Sequence, residues 1–109
     1  MSGKNVLIII KSTPFRRINY YEALRVAVGL WEHNVNLIWM GDGIYAALNN
    51  MDQTLTNQFF EELDLNLFVE EEALLERGFK VTDVLQNAKV INREKISELI
   101  LGAQASLVF

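Results

Sequence analysis

Three short stretches of this 109-residue chain bring together side chains able to do chemistry, and one reactive residue type, cysteine, does not occur at all. The first stretch is Lys11-Ser12-Thr13-Pro14-Phe15-Arg16-Arg17, directly after an apolar run. Its hydroxyls, backbone N–H groups and arginines suit an anion held at the start of a helix. They suit equally a plain strand-to-helix turn in which Ser12 and Thr13 bond the local backbone. The glycines of a P-loop or a dinucleotide fingerprint are missing from it. The second stretch is Gly41-Asp42-Gly43, where glycines permit a sharp turn and Asp42 is placed to cap a helix beginning at Ile44. The third is Glu70-Glu71-Glu72. Carboxylates in a first helical turn gain about 0.3–1 kcal/mol each from the helix dipole, so such a run has a structural reason to exist. Neighbouring helical residues point apart, and two of these carboxylates are not expected to face one pocket. A general base at Glu70 would need a second polar group opposite it.

The lack of cysteine excludes disulfides, thiolate metal sites and thiol nucleophiles together. His33 is the single histidine, set at the end of a helical pattern where a partly charged imidazole is at home. With no thiolate near it and the acids scattered, neither a metal site nor any other cofactor is expected. No nucleophile-elbow sequence supports a Ser-His-Asp arrangement.

The elements that must position these stretches are readable from apolar spacing. Val6 to Ile10 is an unbroken aliphatic run, as in a parallel strand covered on both faces. Ile18 to His33 is helical, with Glu22, Arg25, Gly29 and Glu32 on a narrow wet stripe. Tyr20, Tyr21, Leu24 and Trp31 lie outside that stripe, too much apolar surface for one sheet face, and are candidates for an interface with another helix or subunit. Val35 to Met40 reads as a second strand, followed by a short helix through Tyr45 and Leu48. Asp52 can cap a helix bearing Leu55, Phe59 and Leu63. Leu65 to Val69 is a third strand, Glu70 to Arg77 a short helix stopped by Gly78, and Phe79 is placed to pack back on its last turn. After a turn or helix at Thr82 to Leu85, Ala88 to Ile91 is a fourth strand. Asn92 caps a helix presenting Ile96, Leu99, Ile100 and Ala103 on one side, with Ile91 and Ile96 forming a hydrophobic staple. Ala105 to Phe109 is the fifth strand. Trp31, Trp39, Phe59, Phe60 and Phe68 fall on packing faces.

Strands alternating with helices imply crossover connections and a parallel sheet between helical layers, in one domain spanning residues 1–109. Half the residues are apolar, and the formal net charge is −4. That charge is concentrated: residues 52–79 hold eight acids against Arg77 alone. No basic stripe exists, which disfavours direct nucleic-acid binding. The acidic stretch serves as a solvated surface or as a docking patch for a basic partner. The apolar runs are too short to span a bilayer and the start lacks a signal-peptide pattern, so a cytoplasmic protein is expected.

Taken together, Ser12-Thr13-Pro14 after the first strand, Gly41-Asp42-Gly43-Ile44-Tyr45 after the second, and Phe68-Val69-Glu70 leading into Leu74-Leu75-Glu76-Arg77-Gly78 resemble the DsrE/DsrF/DsrH family. The likeness runs over essentially the whole chain and is strongest to the DsrF or TusC type of subunit. It implies a three-layer α/β/α fold of flavodoxin-like architecture around a five-stranded parallel sheet. It also implies homo-oligomers, or hetero-oligomers with cysteine-bearing DsrE-like subunits, that relay sulfane sulfur as a cysteine persulfide in sulfur oxidation or tRNA thiolation. The persulfide cysteine of the DsrE or TusD type falls on Glu70 of this sequence. Persulfide transfer is therefore not expected of this chain, and the resemblance points to a non-catalytic partner subunit. The other reading is a stand-alone oligomer that binds a small ligand, with Ser12, Thr13, Arg16, Asp42 and Glu70 around a cleft at the carboxyl ends of the strands.

Overall fold

A computed structural model of the chain describes residues 3–13, 22–23, 25–27, 29–30, 32–49 and 66–109. Strands β1 (Asn5–Ile10), β2 (Asn34–Trp39), β3 (Asn66–Glu70), β4 (Ala88–Ile91) and β5 (Ala105–Val108) form one parallel sheet in the order β4-β3-β2-β1-β5. The five-stranded parallel sheet and α/β class expected above are thus observed. β1 is an interior strand between β2 and β5, and its residues Val6 to Ile10 are buried on both faces, which is why no polar residue interrupts that run.

Two apolar layers cover the sheet. On one face Val6, Ile8, Ile10, Val35, Leu37, Trp39, Leu67 and Val69 pack with Ala23 and Ala27, with Ile44, and with Ala73 and Leu74. Residues 22, 23, 25–27 and 29 are helical, and Glu22, Arg25, Gly29 and Glu32 are exposed as the wet stripe requires. On the other face Leu7, Ile9 and Ile38 pack with Ile96 of helix α2 (Arg93–Gly102), beside Ile91, Leu99 and Ala103. Helix α1 is Glu71–Glu76. The interface candidates Tyr20, Tyr21, Leu24 and Trp31, the site candidate Arg16 and the helix expected after Asp52 lie outside the described residues.

Local signals explain most boundaries. Asn92 Oδ1 accepts the Lys95 N–H at 2.9 Å and caps α2, while Ile91 and Ile96 share one cluster as a staple should. Helix α1 ends in a Schellman motif. Gly78, at φ +79°, donates its N–H to Leu75 O at 3.0 Å, and Phe79 donates to Leu74 O at 3.1 Å. Phe79 then folds back against the core and meets Tyr45 edge-to-face at 5.9 Å.

Several expectations are corrected. Residues Gly41–Ala47 form a 3₁₀ helix, and Asp42 lies inside its first turn instead of capping it. Glu70 ends β3 and stands at the N-cap of α1 with no side-chain cap bond, leaving Glu71 and Glu72 as the acids of the first turn. Ile100 is 44% exposed, because α2 rests on the sheet along Ile96, Leu99 and Ala103 alone. His33 Nδ1 accepts the Lys4 N–H at 3.1 Å, tying the turn before β2 to the start of β1.

Candidate functional site

Because β1, β2 and β3 lie side by side, the loops that follow them share the carboxyl rim of the sheet, where open α/β folds bind ligands. Neighbouring strand ends are tied together along this rim. Met40 N–H donates to Ile10 O at 2.9 Å, joining the end of β1 to the exit of β2. Gly41 N–H donates to Glu70 Oε1 at 3.0 Å, joining that exit to the end of β3. The Arg93 guanidinium pairs with Glu72, linking the helices that follow β3 and β4. On the other side of β1, the N–H groups of Lys11 and Ser12 donate to Phe109 O at 2.8 and 3.2 Å.

The local sequence makes these ties possible. Gly41 adopts φ +52°, a conformation that glycine reaches without Cβ strain, and this aims its N–H at Glu70. Gly43 acts differently, because a Cβ there would lie 2.1 Å from Ile10 O. Its side-chain hydrogen is what allows the 3₁₀ helix to lie directly on the end of β1.

Arg77 completes the arrangement. As C-cap residue of α1 it donates through one guanidinium nitrogen to Ala73 O at 3.0 Å and through the other to Asp42 Oδ1 at 2.9 Å. The Asp42 hydrogen bond is the main reason its pKa is raised still further, against a smaller desolvation effect, so it stays charged at every ordinary pH. A cation also belongs at a helix C-terminus. Asp42 is 59% exposed, which limits the ion pair itself to about 0.2–1 kcal/mol. We expect Asp42→Asn to change stability by less than about 1 kcal/mol, and Arg77→Ala to cost more because it also frees the Ala73 carbonyl. Urea denaturation of both variants checks this ordering, and equal losses would contradict it.

The structure therefore brings Asp42 and Glu70 into one network through Gly41 and Arg77. Ser12 and Thr13 follow β1, one strand further along the same rim. Sequence reasoning missed Arg77 and Gly41 as members of the network. The signal for Arg77 was its position as the one cation of an eight-acid stretch. A cleft of about 330 Å³ lies elsewhere, lined by Asn49, Phe79, Thr82 and Asp83. Among the described residues no cluster of three His, Asp or Glu side chains stands where it could hold a metal ion, and no helix is long and apolar enough to cross a membrane.

Glu70 is thus engaged as an acceptor rather than presented as a free base. Glu70→Gln keeps an oxygen for the Gly41 N–H and should leave stability within about 0.5 kcal/mol of wild type, whereas Glu70→Ala should cost roughly 1–2 kcal/mol. Thermal unfolding of both variants distinguishes this role from one in binding, because a cost for Gln equal to that for Ala would show that the charge, and not the hydrogen bond, matters.

Comparison with known proteins places this geometry. The crystal structure of the ychN protein from E. coli superposes with a TM-score of 0.82 at 17% identity, covering 98% of this chain and 99% of that one. The structure of MTH1491, a protein of unknown function from Methanobacterium thermoautotrophicum, gives a TM-score of 0.69 at 14% identity, covering 99% of this chain and 100% of that one. No curated protein sequence matches. At such identities these likenesses establish the fold. The DsrE/DsrF-like family model matches residues 4–109, nearly the full length, and the chain belongs to that family.

Proposed function

We propose that the protein is a non-catalytic subunit in an intracellular sulfur-relay complex, working beside a cysteine-bearing relative that carries sulfane sulfur as a persulfide. One observation carries this reading. The residue at the family's persulfide position is Glu70, and its carboxylate is held by the Gly41 N–H at the carboxyl rim. To accept sulfane sulfur, a thiolate attacks the outer sulfur of a donor persulfide, forming a new sulfur-sulfur bond as the donor's breaks and the donor thiolate leaves. A carboxylate cannot do so, and the chain has no thiol anywhere to replace it. What remains at this position is a brace between β3 and the exit of β2, which suits a subunit that shapes a neighbour's site. The acidic stretch 52–79 suits a docking role in the same assembly.

The alternative, a stand-alone oligomer with a small ligand in the rim cleft, calls for polar groups left open to that ligand. Glu70 and Asp42 instead each commit one carboxylate oxygen to a partner within the protein, Gly41 and Arg77. That favours the partner reading.

The test is reconstitution. The tagged chain is isolated from its host, co-purifying chains are identified, and persulfide transfer by any related cysteine-bearing chain is timed with and without this protein. The expected result is a co-purifying relative whose transfer slows when this chain is left out. A chain that purifies alone, and leaves transfer by such relatives unchanged, would overturn the proposal.

A further inference from the structure

The cleft lined by Asn49, Phe79, Thr82 and Asp83 lies where the end of the 3₁₀ helix meets the connection between α1 and β4. Its walls are fixed by the backbone. Leu48 and Val84 form an antiparallel bridge, Leu85 N–H donates to Ala47 O at 2.9 Å, and Asn49 N–H donates to Asp83 O at 2.8 Å. These bonds hold Asn49 beside Thr82 and Asp83. Phe79 is set by the Schellman turn before it and by its edge-to-face contact with Tyr45.

The hydrogen bonds already made decide what the cleft has left to offer. Asn49 turns its Nδ2 to Thr82 O at 3.3 Å. A carbonyl there demands a donor opposite it, which orients the carboxamide and leaves Oδ1 without a partner among the described residues. Asp83 Oδ2 accepts the Lys80 N–H at 2.7 Å. Its Oδ1 has neither a hydrogen bond nor an ion pair among the described residues, whereas Asp42 and Glu72 each meet an arginine. The Thr82 hydroxyl turns to suit what it meets. The open groups are thus acceptors, one of them charged, beside an aromatic ring.

We propose that this cleft is a binding site for a small primary amine, taken up as its ammonium ion. An ammonium brings three donors and no acceptor, the complement of Asn49 Oδ1, Asp83 Oδ1 and the Thr82 hydroxyl. Phe79 suits the same occupant, because a ring face attracts a cation and a ring edge packs its hydrocarbon stem. Asp83 and the net charge of −4 oppose an anion and draw a cation in. The volume of about 330 Å³ is at the lower end of ligand pockets, which fits a stem of a few carbons. The site is separate from Asp42 and Glu70 at the rim, and holds whether or not the chain takes part in sulfur relay.

The probe is n-butylamine, titrated into the full chain at neutral pH and constant ionic strength while amide resonances are followed by NMR. Saturable shifts are expected at Asn49, Thr82 and Asp83, with a Kd in the millimolar range for so small a ligand. Tetramethylammonium, which has the charge without N–H donors, and butanol, which lacks the charge, should each bind about tenfold or more weakly. Asp83→Asn keeps an oxygen for the Lys80 N–H and should weaken butylamine about tenfold with little change in melting temperature. Glu94→Gln makes the same change in net charge on α2, which packs on the opposite face of the sheet, and should leave binding unchanged. If Asp83→Asn does not fold, the comparison of the three probes on the natural chain decides. Three results would overturn the proposal: no saturable shift through the millimolar range, tetramethylammonium binding as well as butylamine, or Glu94→Gln weakening binding as much as Asp83→Asn.

Discussion

Gly43→Ala is expected to remove about 3 kcal/mol or more of stability, a large share of the roughly 5–15 kcal/mol typical of a domain. The added Cβ would lie 2.1 Å from Ile10 O and 2.9 Å from Ile10 C, both backbone atoms of the interior strand β1. Neither can swing aside as a side chain would. Ile10 O also accepts the Met40 N–H, and Gly43 N–H donates to Met40 O at 2.8 Å. Relieving the clash therefore breaks the tie between β1 and the exit of β2. Gly29→Ala serves as the opposite control. Gly29 is helical and exposed, with nothing within 4 Å of an added Cβ, so alanine there should stabilise by about 0.5–1 kcal/mol. Denaturant titrations of both variants should shift in opposite directions. A Gly43→Ala protein within 0.5 kcal/mol of wild type, on the scale of an ordinary surface substitution, would show that the 3₁₀ helix does not rest on β1 as described.

Trp39 gives the second large effect. It is fully buried at the end of β2, among Ile10, Ile44 and Leu74, and its Nε1 has no hydrogen-bond partner among the described residues. Truncation to alanine should cost about 3–5 kcal/mol through lost burial and the cavity left behind. Trp39→Phe should cost far less than ring size alone suggests, because it also removes an orphaned donor whose desolvation penalty is roughly 1–3 kcal/mol. The two substitutions thus separate the apolar and polar contributions of one side chain. A phenylalanine variant as unstable as the alanine variant would mean that the indole N–H is engaged after all.

The parts of this fold that could be read from sequence are those governed by neighbouring residues. The aliphatic run Val6 to Ile10, the Asn92 cap with its Ile91–Ile96 staple, and the Gly78 stop each act within a few positions, and each appears where its spacing places it. Interactions between distant segments were not legible. Local spacing makes Glu70 an acid of a first helical turn, whereas its partner, Gly41, is 29 residues away. The same spacing makes Asp42 a cap, whereas its partner is Arg77. A turn alone accounts for Gly43 in the sequence, and close approach to β1 is the reason in the fold.

The amino ends of the strands hold the same lesson. Asn34 Nδ2 donates to Asn5 Oδ1 at 2.9 Å, and Asn66 Nδ2 donates to Asn36 Oδ1 at 2.9 Å, so carboxamides link β1, β2 and β3. In the sequence these are separate polar residues bordering apolar runs. Their register becomes apparent only once the strands are side by side. At the site, membership of the rim followed from strand order in the sheet, which alternation of elements does not specify.

That strand order also has a consequence in time. Of the five strands described, β1 is synthesised before the others and β5 after them, yet the two lie side by side, with β1 between β2 and β5. The most apolar strand therefore keeps one bare edge throughout synthesis of everything between them, sheltered only when Ala105–Val108 arrive. The final strand is a closing piece, and a chain halted just before it would present Leu7 to Ile10 to any strand that came by.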